Sequence, residues 1–330
     1  MHYLGIDVSK ATLQCALEKP GEPDKALQKA VPNTPAGCQA LLDWCQRQAS
    51  CTVSELHAVL EATGPYHEVA LVTLSAAGVT VSLVNPKQVK DFAGSLGLTA
   101  KHDRQDARVL ARFGRERQPR PWQPPAPAYQ HLQALLKRLA AVEQDLQREQ
   151  NRQEKVLAGS PAAPVAASLT RTIQFLEEER DRLRQAIDEH IQQAPQLQQE
   201  RALLESIPGI GPTNSALLVA LFQGQRFADA AEAAAYVGLI PTTHESGQSV
   251  RKKPHLSKRG PALIRAKLYL AAVVAKRHNP DVRALYERLV ARGKSKLAAL
   301  GAAMRKLIHI CFGVLKHQTP YQPQVAQPAA

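Results

Sequence analysis

YLGIDVSKATLQCALE, residues 3–18, decides the fold. Two apolar runs, YLGIDVS and TLQCALE, flank a short polar break, which is the pattern of two paired strands. Beyond them LHAVLEA reads as a strand, PYHEVALVTLSAAG as a helix and VTVSLVN as another strand. This alternation predicts an α/β domain with a mixed sheet over residues 1–117. The stretch QPRPWQPPAPA, residues 118–128, holds five prolines in eleven residues. Proline lacks the N–H that helices and central strands need, so this segment is read as a linker.

Past the linker the period changes. Leu132, Leu135, Leu139, Val142 and Leu146 recur at alternating spacings of three and four, and a second seam runs through Leu169, Ile173, Leu176, Leu183 and Ile187. Two heptad seams joined by the breaker GSPAAP predict an antiparallel coiled-coil arm over 129–200. Such an arm packs either on its own chain or, the preferred reading, against a second subunit as a dimer. Residues 201–318 read as an all-α domain, with Asn279-Pro280-Asp281 starting one helix and Gly293 ending it. The tail, 319–330, is expected to be disordered from its proline and glutamine content.

Charge bounds the partners. The 330-residue chain carries 42 Lys and Arg against 29 Asp and Glu, a net +13. Between Gly247 and Lys296 stand fourteen of those cations and only Asp281 and Glu287, so nearly the whole surplus lies in one region. That concentration points to a polyanion such as nucleic acid. Five cysteines without a C-x-x-C pair argue against a disulfide framework or a thiolate zinc site and fit a reducing cytoplasm. No unbroken apolar run approaches the roughly 18–20 residues of a membrane span.

Against this basic background the acids stand out. Asp103 and Asp106 lie three residues apart among Lys101, Arg104, Arg108 and Arg112. As an N-cap and a first-turn acid they would stabilise a helix start. Two further carboxylates favour another role: Asp7 inside the first strand, and Glu61 closing AVLE. Like charges about 4 Å apart repel by about 4 kcal/mol at an effective dielectric near 20, so carboxylates that converge must protonate or bind a cation. Oxygen donors with open positions suit one or two Mg²⁺ ions, which can hold the attacking and leaving oxygens of a phosphodiester. Arg104, Arg108 and Arg112 would then face phosphate. GIDVSK alone also fits the phosphate turn of an actin-like ATPase, although no P-loop accompanies it.

Two C-terminal motifs add chemistry. In SIPGIG, Gly209 and Gly211 separate two apolar helical runs, a helix-hairpin-helix that frees backbone N–H groups for a phosphate; a plain packed turn is the alternative. In HESGQSVRKKPHLSKRG, Ser246 is expected in a loop followed by Arg251, Lys252, Lys253, Lys258 and Arg259, with Arg265 beyond. Cations there would stabilise a developing alkoxide and the phosphate it attacks, whereas most loop serines are turn formers.

The order GIDVSK, LEATGPY, NPKQVKDFA, KHDRQDAR, SIPGIG, AYVGLIP, HESGQSVR and LSKRGPALIRAKLYLAA resembles the Piv/MooV-type DEDD transposases of bacterial insertion sequences, the one-ten family. The resemblance implies a RuvC-like, RNase H-type N-terminal domain, a helical arm and a C-terminal transposase domain. It implies Asp7, Glu61, Asp103 and Asp106 as metal-binding acids and Ser246 as nucleophile. It further implies a recombinase guided by a structured bridge RNA to target and donor DNA, acting through a phosphoserine bond in a tetramer built as a dimer of dimers, in the bacterial cytoplasm near the nucleoid. His102 departs from the threonine expected before Asp103. Rival expectations are a resolvase-like endonuclease that activates water and a non-catalytic nucleic-acid scaffold.

Overall fold

A computed structural model describes residues 1–22, 25–62, 64, 66–98, 103–159, 162–246, 250–257 and 260–324, with backbone alone for 103–104, 243–246 and 250–254. The chain divides into two compact units at Pro124 and Pro125, the first mixed α/β and the second mostly helical.

The first unit runs β1 (His2–Val8), β2 (Thr12–Glu18), β3 (Leu27–Pro32), α1 (Pro35–Ala49), β4 (Leu56–Glu61), α2 (His67–Ala76), β5 (Thr80–Val84), α3 (Pro86–Ser95) and α4 (Asp103–Arg117). The sheet order is β3-β2-β1-β4-β5. The β1–β2 and β2–β3 pairs are antiparallel, whereas β4 lies parallel to both β1 and β5. Alternation along the strands sorts side chains to two faces. Leu4, Ile6, Ala58 and Leu60 pack with α1 and α2 residues on one; Val59 and Val84 pack with Phe92, Leu110 and Phe113 of α3 and α4 on the other. Two helix starts have a local cause. Thr34 caps α1 through its side chain ahead of Pro35, and Asn85 does the same for α3 ahead of Pro86.

The proline-rich stretch is partly fixed to this unit. Trp122 N–H donates to Val81 O at 2.7 Å, and Ser82 Oγ lies 2.9 Å from the carbonyl oxygens of Pro119 and Arg120. Trp122 also packs against the sheet's core. Proline cannot join a central strand, but beside an outer strand it leaves neighbouring N–H groups free to pair.

The second unit holds α5 (Pro127–Leu157), α6 (Ala163–Gln193), α7 (Pro195–Glu205), α8 (Pro212–Gly224), α9 (Ala230–Tyr236), β6 (Pro241–Ser246), β7 (Val250–Leu256), α10 (Ala262–His278), α11 (Pro280–Ala291) and α12 (Lys296–His317). The heptad seams on α5 and α6 pack within the one chain: Leu139, Val142, Leu146, Ile173 and Ile187 are buried, and Arg184 bonds Glu143 across the pair at 2.9 Å. The seam thus has an occupant without a second subunit. The all-α expectation fails at β6 and β7, an antiparallel hairpin. β7 carries charge at three successive positions, Arg251 to Lys253, and β6 has no apolar alternation, which masked the two-residue period. Residues 319–324, assigned by composition to the tail, are held instead: Tyr321 N–H donates to Ser206 Oγ at 2.8 Å. By length and composition α12 is the one described helix that could cross a membrane. Its Ala303, Leu307, Ile308 and Cys311 are fully buried in the core that holds Leu204, Val237 and Ala272, as in a central helix of a globular unit.

Candidate functional site

β1 and β4 run parallel with Ile6 opposite Leu60, so the next step of the register sets Asp7 beside Glu61. Adjacent strands lie about 4.8 Å apart. Asp7 shares a face with Gly5, and Glu61 with Val59; both of those residues meet α4. A Cβ on Gly5 would stand 2.0 Å from Ala107 O and 2.3 Å from Ala111 N, so only glycine lets the helix backbone rest there. Near the other end Gly114 lies against Val59 and Tyr3. The helix therefore runs antiparallel to β1. With about 1.5 Å per helical residue and about 3.3 Å per strand residue, the advance from Gly5 to Asp7 corresponds to about four residues of α4. That step reaches the first turn, Asp103 to Asp106.

Three elements thus deliver Asp7, Glu61 and the start of α4 to one edge and one face of the sheet. Asp7, Glu61 and Asp106 each have an interacting partner. The Asp103 side chain lies outside the described residues, as do Lys101, His102 and the Arg104 side chain. Among the described residues no three His, Cys, Asp or Glu side chains are grouped to hold a metal ion. The carboxylates at this edge would offer oxygen donors only, a chemistry that suits Mg²⁺ over softer metals. Asn33, which the sequence did not single out, ties the edge together: its side-chain amide donates to Ser9 O at 3.0 Å and Tyr66 O at 2.9 Å. Those carbonyls follow Asp7 and Glu61 in the chain.

The cations divide. Arg108 is exposed on α4. Arg112 pairs with Glu116 at 2.7 Å, and Arg115 pairs at 3.0 Å with Glu18, which is buried on β2. Both of these arginines are held by carboxylates of their own unit.

In the second unit Ser246 is the last residue of β6, registered with Val250, and not a loop residue. Residues 247–249 and the side chains of Ser246, Arg251, Lys252 and Lys253 lie outside the described residues, as do Lys258 and Arg259. Arg265 turns inward, donating to Gly260 O at 2.8 Å and Val237 O at 3.1 Å. The two glycines of SIPGIG separate. A Cβ on Gly209 would lie 2.7 Å from Ala275 Cβ, so Gly209, at φ +105°, is a packing glycine against α10. Gly211, the residue that precedes α8, faces open space.

Residues 4–160 match a transposase model of the DEDD IS110 type, and residues 201–287 match the model described as transposase IS116/IS110/IS902 family. The pilin gene-inverting protein of Moraxella bovis is 32% identical over 98% of both chains. This chain belongs to the IS116/IS110/IS902 family of transposases. The pilin gene-inverting protein of Moraxella lacunata is 31% identical over the same share. An uncharacterized 43.6 kDa protein of insertion element IS110 from Streptomyces coelicolor is 32% identical over 49% of this chain and 39% of its own. In this transposase the four acids fall within the first matched segment, and SIPGIG, Ser246 and Arg265 within the second.

Proposed function

We propose that this transposase recombines DNA with two sets of groups: Asp7, Glu61, Asp103 and Asp106 at the sheet edge, and Ser246 at the end of the basic hairpin. The carrying observation is that Asp7, Glu61 and the first turn of α4 share one face at the carboxyl ends of two parallel strands. A mixed five-stranded sheet with acids at that edge supports a RuvC-like reading of the first unit. Those four carboxylates would hold Mg²⁺, which when bound neutralises phosphate charge.

Ser246 Oγ attacks phosphorus, passing its proton on as the bond to the leaving deoxyribose oxygen breaks and that oxygen is protonated. The phosphoserine ester conserves the bond until a strand hydroxyl attacks it and returns the serine. Cations following Ser246 on β7 lie in the right stretch to lower the cost of the alkoxide. Family resemblance and the +12 region support guidance by a structured RNA, and composite sites in an oligomer follow from the same resemblance.

Trapping on end-labelled DNA tests the chemistry. Ser246→Ala should leave DNA binding intact and yield no covalent protein–DNA product; a variant that still recombines removes the serine from the mechanism. Sequencing RNA that co-purifies with the chain and comparing it with DNA flanking its gene tests the guide.

A further inference from the structure

We propose that the cleft between α11 and α12 is a phosphate-binding subsite for a nucleic-acid backbone, lined by residues other than those of the hairpin. The inference rests on the reading of this chain as a nucleic-acid-binding transposase and adds to it a place and two residues. Arg288 from α11 and Lys306 from α12 line a cavity of about 180 Å³ with Ala284, Leu285, Asp281 and Gln324. Among the described residues neither cation has an ion-pair partner, although most arginines on α4, α5 and α6 do.

Asp281 lines the same cavity, and its charge is already committed. Its Oδ2 accepts from Tyr321 O–H at 2.8 Å, and its oxygens accept from Gln324 N–H at 3.1 and 3.3 Å. It is also 5% exposed and sits in the first turn of α11, where the helix end is positive. A buried carboxylate with two donors, the Tyr321 hydroxyl and the Gln324 N–H, holds the C-terminal strap in place as the cleft's rim, with Arg288 exposed and Lys306 half-buried beside it. A guanidinium presents two parallel donors to a phosphate and an ammonium a point charge, so the pair suits one phosphodiester or two successive ones. Apolar Ala284 and Leu285 supply a floor without a competing donor. Arg288 belongs to the 247–296 stretch with its net charge of +12, which favours a polyanion over a neutral peptide.

The test measures binding of a defined duplex DNA and of an RNA of equal length across a salt series, using the full chain and the double variant Arg288→Gln/Lys306→Gln. Each lost phosphate contact lowers the slope of log K against log salt by about one, so a fall of about two is expected for at least one of the two ligands. Arg47→Gln/Lys90→Gln, exposed positions of the first unit with the same charge change, should leave the slope unaltered. An unchanged slope in the cleft variant, or an equal fall in both variants, overturns the subsite. Loss of poly-glutamate binding in the cleft variant with its nucleic-acid slope intact reassigns the cleft to acidic protein and also overturns it. If the unaltered chain binds neither nucleic acid, the proposed function itself fails, which separates the two outcomes.

Discussion

Gly5 and Ala107 meet backbone to backbone: a Cβ on the first would stand 2.0 Å from the carbonyl oxygen of the second. That contact seats α4 on β1 and so sets where its first turn meets Asp7. Gly5→Ala forces the helix away or the strand out of register, an overpacking cost of about 1–3 kcal/mol or more. The expected outcome is a lower melting temperature together with loss of recombination out of proportion to the loss of fold, checked by thermal denaturation beside a strand-exchange assay.

Asn33→Ala deletes both donors to Ser9 O and Tyr66 O. It should cost about 1–2 kcal/mol of stability and reduce DNA cleavage while the affinity for DNA stays constant. Asn33→Asp should be worse, because it sets a carboxylate against two carbonyl oxygens. Equal cleavage rates in wild type and Asn33→Ala would assign the residue to the fold alone.

Arg265→Gln offers the opposite profile. Its guanidinium serves Gly260 O and Val237 O, so the variant should lose about 1–3 kcal/mol of stability and keep the salt dependence of nucleic-acid binding. A lower salt slope would show that the side chain also reaches phosphate.

Glu200 provides a pH signature. It is 2% exposed; one oxygen accepts from Tyr129, Gln196 and Gln223, and the other has no hydrogen-bond partner. Burial raises its pKa above the ordinary carboxylate value. The folded chain therefore binds this proton more tightly than the unfolded chain. Stability from this group is complete below about pH 4.3, the ordinary glutamate value, and is lost as pH rises through the folded value. Urea midpoints of wild type relative to Glu200→Gln should fall across that window; parallel curves would contradict it.

Much of the first unit was legible because each strand writes its own pattern: the β1–β2 pair, β4, α2 and β5 all follow local periodicity. The adjacency of Asp7 and Glu61 was not, since it depends on a parallel register between strands nearly fifty residues apart in sequence. The β6–β7 hairpin escaped because THES and VRKK put polar groups on both faces, leaving no alternation to read. Gly209 could not be assigned from SIPGIG alone. Its role is decided by Ala271 and Ala275 on α10, a contact no local motif contains. Arg265 looked like one more cation in a basic run; the carbonyl oxygens that claim it are those of Val237, just after α9, and Gly260.

All five cysteines, Cys15, Cys38, Cys45, Cys51 and Cys311, are free and buried, and burial pushes Cys45 and Cys311 up to about 12. Maleimide dyes and spin labels need an accessible thiolate, so the native fold should present them with almost nothing to react with. A single introduced thiol would then report alone, with no background to remove, and Ser246→Cys would put it at the position on which the proposed chemistry turns, its labelling rate measuring how open that position is.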